Sequence, residues 1–220
     1  MKGFVSDTRV IWGLALLVSG LVACSDGGTD GPTAGVATVG FVPKPIVLPN
    51  INLSRATARL DRLQIIGNVP PPPPPGSLPP PGSRPPPDGY HPPEATVDLD
   101  ALASTASTGS IENLPQGLYS RMRFMIGRVS LEGRARGAPF QVSLAPFGAI
   151  VDIRASVAQE LGLDHDVAFE VSVDPNLWFP PYLFEGATFD NRGVIICDDV
   201  SNTQIGSALI QSMLWSFSLQ

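Results

Sequence analysis

The sequence predicts a mostly β chain, arranged as a largely antiparallel β-sandwich with one or two short helices. Three observations predict it. Val167, Phe169, Val171 and Val173 alternate with Ala168, Glu170, Ser172 and Asp174, the period of a half-buried strand. Residues 118–132 carry a longer run of the same kind. Gly- and Pro-containing turns separate many such short runs, and helical spacing is confined to one or two stretches. Of the 220 residues, 43% are hydrophobic, which is enough for one packed core and too many for a disordered chain.

Lys2 and Arg9 precede an apolar stretch from Val10 to Ala23. Its length suits a signal peptide and falls short of the ~20 residues that cross a bilayer. Residues 24–51 are rich in Gly, Thr, Pro and Val, the composition of a flexible tether, with Val36 to Val42 able to add an edge strand. Residues 52–220 are expected to form a single β-rich domain. Its first segment, Asn52 to Val69, fits a strand better than a helix, through Leu60 and the Leu63-Gln64-Ile65 alternation. Residues 70–93 are a proline-rich insert opened by the unbroken run Pro70–Pro75. Proline lacks the amide donor, so this insert is expected to stay out of any sheet as an extended, disordered loop.

Beyond the insert, residues 96–100 alternate as a strand, and Leu114-Pro115-Gln116-Gly117 is a turn. In the strand from Leu118 to Glu132, Met122, Phe124 and Ile126 share a face opposite Arg121 and Arg123. Past Gly127 the apolar positions become Val129 and Leu131, so the parity changes and a bulge is predicted at Gly127. A turn over 132–137 leads to a strand at 140–144 and a short one at 149–153. Residues 156–162 are expected to make a helical turn stopped by Gly162. Pro175 ends the strand that begins at Val167. Residues 194–197 suit a short buried strand. Ile205, Leu209 and Met213 share one helical face, with Ser201 or Asn202 as the cap. Trp215, Phe217 and Leu219 alternate as a last strand.

Leu21-Val22-Ala23-Cys24 resembles the lipobox of bacterial lipoproteins. The resemblance implies cleavage between Ala23 and Cys24 and acyl chains on Cys24, which hold a protein durably at a membrane. Ser25 in place of Asp leans towards the outer membrane. Further along, Val97-Asp98-Leu99-Asp100 and Leu114-Pro115-Gln116-Gly117-Leu118-Tyr119-Ser120-Arg121 are similar to bacterial lipoproteins carrying domain of unknown function 4382. Over roughly residues 52–175 that resemblance implies an immunoglobulin- or prealbumin-like β domain, with no activity attached.

Chemistry-bearing groups are few. His91 sits in the proline insert, and His165 lies in Leu163-Asp164-His165-Asp166. The latter suits a metal ligand, a dispersed hydrolase site or a plain polar turn. Asp190-Asn191-Arg192-Gly193 and Asp198-Asp199 offer oxygen ligands but lack the spacing of a calcium loop. Trp178, Phe179, Tyr182 and Phe184, with Phe189 beyond them, present rings that stack on sugars or anchor a partner protein, and that equally close one end of a sandwich core. Arg121 and Arg123 suit carboxylate recognition or a solvated strand face. Cys197 lies in an apolar run, as a buried thiol would. The net charge of −6 argues against nucleic acid as a partner.

The sequence therefore points to a lipid-anchored, non-catalytic binding or structural module of the cell envelope, at the outer membrane. No metal or cofactor is expected, and the expected partner is a glycan or an envelope protein. The alternative is an envelope hydrolase with its site near His165.

Overall fold

The computed structural model describes residues 35–67, 94–161 and 166–220. Strand makes up 58% of them. One sheet has four strands: β1 (Gly35–Pro43), β4 (Ser107–Leu114), β8 (Val167–Val173) and β10 (Phe217–Leu219), in the order β10-β8-β1-β4. The other has six: β2 (Ile51–Gly67), β3 (Ala95–Asp100), β5 (Gly117–Ala135), β6 (Ala138–Leu144), β7 (Ile150–Leu161) and β9 (Ile195–Cys197). Its order is β3-β2-β5-β6-β9, with β7 also paired to β5. Most pairs are antiparallel, as expected, but each sheet contains one parallel pair, β1 with β8 and β6 with β9. Both sheets are therefore mixed.

The expected tether over 24–51 is too long. β1 lies inside its sheet, between β8 and β4, with Ala37, Val39 and Phe41 buried. A short alternating run gains two hydrogen-bonding neighbours there, which is not visible from its composition. The folded part thus begins no later than Gly35, not at residue 52. Residues 32–220 form one compact unit, and the buried core from Ala37 to Leu219 lies within it, so this unit carries its own core. The signal segment and the whole of the proline-rich insert, residues 70–93, lie outside the described residues.

β5 organises the six-stranded sheet. Arg59 pairs with Arg128, and the next residue, Leu60, pairs with Ile126, so Gly127 is the extra residue of a bulge, as predicted. Met122, Phe124 and Ile126 point inward before it, and Val129 and Leu131 after it. A second bulge sits at Ser120, which both neighbouring strands skip: Tyr119 pairs with Gly67 and Gln159, and Arg121 with Ile66 and Arg154. It turns Tyr119 inward while Arg121 faces out. Phe124 then reaches across to the other sheet. Its ring meets Phe41 at 5.5 Å and Phe217 at 5.0 Å, both edge-on. Each such pair contributes ~1 kcal/mol beyond the area it buries.

Several local expectations differ from the structure. β5 runs on to Ala135, so the turn is only Arg136-Gly137, both at positive φ, as a two-residue hairpin requires. β4 adds an edge strand that the sequence did not signal. The helical turn expected over 156–162 is strand: β7 continues to Leu161, with residues 155–158 bulging out opposite Ser120. The helix α1 (Thr203–Leu214) buries Ile205, Leu209 and Met213 as expected. Asn202 precedes it, but its side chain caps nothing. It accepts from Thr188 N at 2.9 Å and donates to Ile196 O at 2.6 Å, tying a loop to β9 instead. The final strand holds Phe217 and Leu219 but not Trp215, which is 81% exposed.

Two glycines of β5 set the spacing to β2. A Cβ on Gly133 would lie 2.1 Å from the backbone oxygen of Asn52, and one on Gly127 would lie 1.9 Å from Asp61 Oδ2. Backbone yields less readily than a half-exposed carboxylate. Gly133→Ala is therefore expected to destabilise by about 2–3 kcal/mol and Gly127→Ala by about 1 kcal/mol. Urea unfolding midpoints of the two variants check the order.

Candidate functional site

The aromatic face expected from Trp178, Phe179, Tyr182 and Phe184 is not one surface. Residues Pro175–Trp178 form a 3-10 turn that Asp174 caps through Asn176 N. Trp178 is wholly buried and donates from Nε1 to Ser216 Oγ at 2.9 Å, and that hydroxyl donates to Met213 O at 2.7 Å. Phe179 is buried and Phe184 largely so; both pack on Phe140 of β6, at 6.3 and 4.9 Å between ring centres. These rings close the core, as the second reading held. Tyr182 and Phe189 remain outside, at 69% and 58% exposure. Among the described residues, an apolar hollow of about 750 Å³ lies elsewhere, lined by Ile46, Val47, Leu48, Ile51, Leu53 and Leu102.

The acidic loops hold themselves together. Asp190 Oδ1 accepts from Arg192 N at 2.8 Å and Val194 N at 2.9 Å, and its carboxyl is held below the usual range, chiefly by the Val194 amide. Asp198 Oδ1 accepts from Val200 N and Ser201 N, which lower its pKa in the same way. Both are turn-forming carboxylates. Among the described residues, no His, Cys, Asp and Glu group is arranged to hold a metal, and every buried side-chain polar atom has a partner. His91 and His165 lie outside those residues. Cys197 is buried, and desolvation, reinforced by Asp198, pushes its thiol up to about 11. Iodoacetamide at about pH 8 should leave native Cys197 unlabelled and modify it once urea unfolds the chain, a contrast that peptide mass mapping reads.

Four of the seven ion pairs among the described residues lie on the outward face of the six-stranded sheet. Arg55, Arg59, Arg121, Arg123, Arg128, Arg134 and Arg154 all lie on it. Arg55 pairs with Glu132 at 3.6 Å, and Arg59 Nε with Asp61 Oδ1 at 2.8 Å. Asp98 faces Arg59 from β3 and Arg128 faces it from β5, bordering a groove of about 330 Å³. On the other half of β5, Asp152 receives two arginines. Arg121 holds it with Nε at 2.5 Å and also with Nη2, and Arg123 donates from Nη2 at 2.8 Å. These bonds, Arg121 first, hold the Asp152 carboxyl down to about 2.

Asp152 has a lower pKa folded than unfolded, where ~3.9 is usual. Its contribution is present at neutral pH and is lost as pH falls from about 4 towards 2. With the pair partly exposed, about 1 kcal/mol is expected. Unfolding free energies measured across that window should fall with acid in the native chain and stay flatter in Asp152→Asn.

Sequence reasoning placed Arg121 and Arg123 on one strand face but missed Arg154 and Asp152 opposite them. The two strands are neighbours only because β7 pairs with the first half of β5. No described helix is long and apolar enough to cross a membrane. Compared with protein-family models, curated proteins and solved structures, the chain matches none.

Proposed function

We propose that the chain is a bacterial lipoprotein, anchored through acylated Cys24 to the outer membrane, whose β domain is a non-catalytic binding or structural module of the envelope. The observation that carries this reading is Leu21-Val22-Ala23-Cys24 at the end of a 14-residue apolar stretch, Val10 to Ala23. Two or more acyl chains make an anchor durable, because each buried CH₂ contributes ~0.8 kcal/mol. Only residues 25–34 separate Cys24 from β1, so the self-contained unit follows almost directly on the proposed anchor. The finer fold type, immunoglobulin- or prealbumin-like, and kinship with the domain of unknown function 4382 lipoproteins belong to the same proposal.

The binding surface in this reading is the arginine-bearing sheet face, because the burial of Trp178 and Phe179 removes them from solvent. Tyr182 stays available to a glycan or envelope protein. Mass spectrometry of the native product tests the anchor. A mature amino terminus at acylated Cys24 is expected, and Cys24→Ser should move the protein out of the outer-membrane fraction. An unmodified thiol at Cys24 would overturn the reading.

A further inference from the structure

Arg154 has no ion pair among the described residues, and it lies directly opposite another arginine. Its register partner across β5 and β7 is Arg121, with Arg123 opposite Asp152 one step along. Directly opposed residues stand ~5 Å apart at Cβ, and like charges there destabilise a sheet. The carboxylate of Asp152 accepts hydrogen bonds from Arg121 and Arg123 and has no bond to Arg154. Across β2, Gln64 faces Arg123, and its amide donates to Glu94 at 2.8 Å. Of the other acids in reach, Asp61 pairs with Arg59, and Glu160, exposed on β7 opposite Leu118, pairs with none of the three arginines among the described residues, so three guanidinium groups face Asp152 and Glu160. The cluster of Arg121, Arg123 and Arg154 therefore keeps a local excess of positive charge on a chain of net charge −6.

All three cations are arginine. The planar guanidinium matches the oxygens of a phosphate in two parallel hydrogen bonds, and an ammonium does not. The cluster also sits towards one particular end of the sandwich. Arg121 is four residues from Gly117, ~13 Å along a strand, and Gly117 pairs with Leu161. A Cβ built on Gly35, the first residue of β1, would lie 2.7 Å from Leu161 Cδ1. The chain that carries Cys24 thus joins the sandwich at the end on which this cluster lies.

We infer that Arg121, Arg123 and Arg154 form a docking surface for the phosphates of anionic lipid headgroups. This rests on the anchoring proposed above. The lipid at Cys24 would hold the domain beside the bilayer, and the arginines would fix which sheet face lies against it. Charge complementarity has to be local, because the chain as a whole repels an anionic surface.

The test uses residues 25–220, which contain the whole compact unit and carry no acyl group. The protein is floated with phosphatidylcholine vesicles and with vesicles containing about 30 mol% phosphatidylglycerol. Flotation with the anionic vesicles alone is expected, and about 0.5 M NaCl should abolish it. Arg154→Gln, which removes no hydrogen bond or ion pair seen among the described residues, should weaken flotation about fivefold. Arg192→Gln makes the same charge change outside the cluster and should leave flotation unaltered. Absence of flotation with the anionic vesicles overturns the inference, as does equal weakening by Arg192→Gln. Saturable binding of glycerol phosphate without flotation also overturns it, in favour of a soluble phosphate ligand. A failure of the anchor itself would show in the mass at Cys24, which this acyl-free chain does not report.

Discussion

The six-stranded sheet depends on two extra residues in β5. A regular strand turns alternate side chains to one face, and nineteen residues without interruption would follow one parity throughout. β5 has three inward sets, Tyr119, then Met122 to Ile126, then Val129 and Leu131, each out of phase with the next. Ser120 and Gly127 are the residues that shift the phase. Without the second, either Phe124 or Leu131 would face solvent. Phe124 is the ring that reaches both Phe41 and Phe217, so the contact between the sheets rests on that register.

The same bulges decide which charges meet. Between them, Arg121 and Arg123 face outward and Asp152 of β7 can bridge both. Beyond Gly127, Arg128 comes opposite Arg59. The sheet thus holds two directly opposed arginine pairs, Arg59 with Arg128 and Arg121 with Arg154. They are not equivalent. Arg59 has Asp61 as a partner and Asp98 facing it from the other side. Arg121 shares its only carboxylate with Arg123, and Arg154 has none among the described residues. A fold that keeps the second arrangement bears a local repulsion that an arginine-to-neutral change would remove.

Much of this fold was legible where a segment obeys one rule. β8 alternates cleanly, α1 repeats at helical spacing, and the parity change at Gly127 is written in Val129 and Leu131. The misses occurred where tertiary context overrides local pattern. β4 holds only Ile111 and Leu114 as buried apolar side chains, so it looks like a loop, yet as an edge strand it needs to bury only one face. β7 loses its alternation in the bulge at residues 155–158, which imitates a helical turn. Asn202 has the identity of a cap, but its amide completes a loop-to-strand link. Trp178 reads as ligand platform or core, and its complete burial, with the bond to Ser216, decides for the core. For the site, sequence supplied Arg121 and Arg123. It could not supply Arg154, because no local signal states that β7 lies beside them.

The turn Leu114-Pro115-Gln116-Gly117-Leu118-Tyr119 has a physical meaning in this fold. Leu114 ends β4, Gly117 starts β5, and the hydroxyl of Tyr119 donates to the carbonyl oxygen of Pro115. The Ser120 bulge is what turns Tyr119 inward to make that bond. A Cβ on Gly67 would lie 3.0 Å from the Tyr119 ring, so the end of β2 is packed against the same corner. Leu-Pro-x-Gly-x-Tyr is therefore a device that fixes a strand-to-strand corner, comparable with tyrosine corners in other sandwiches. It brings no reactive group.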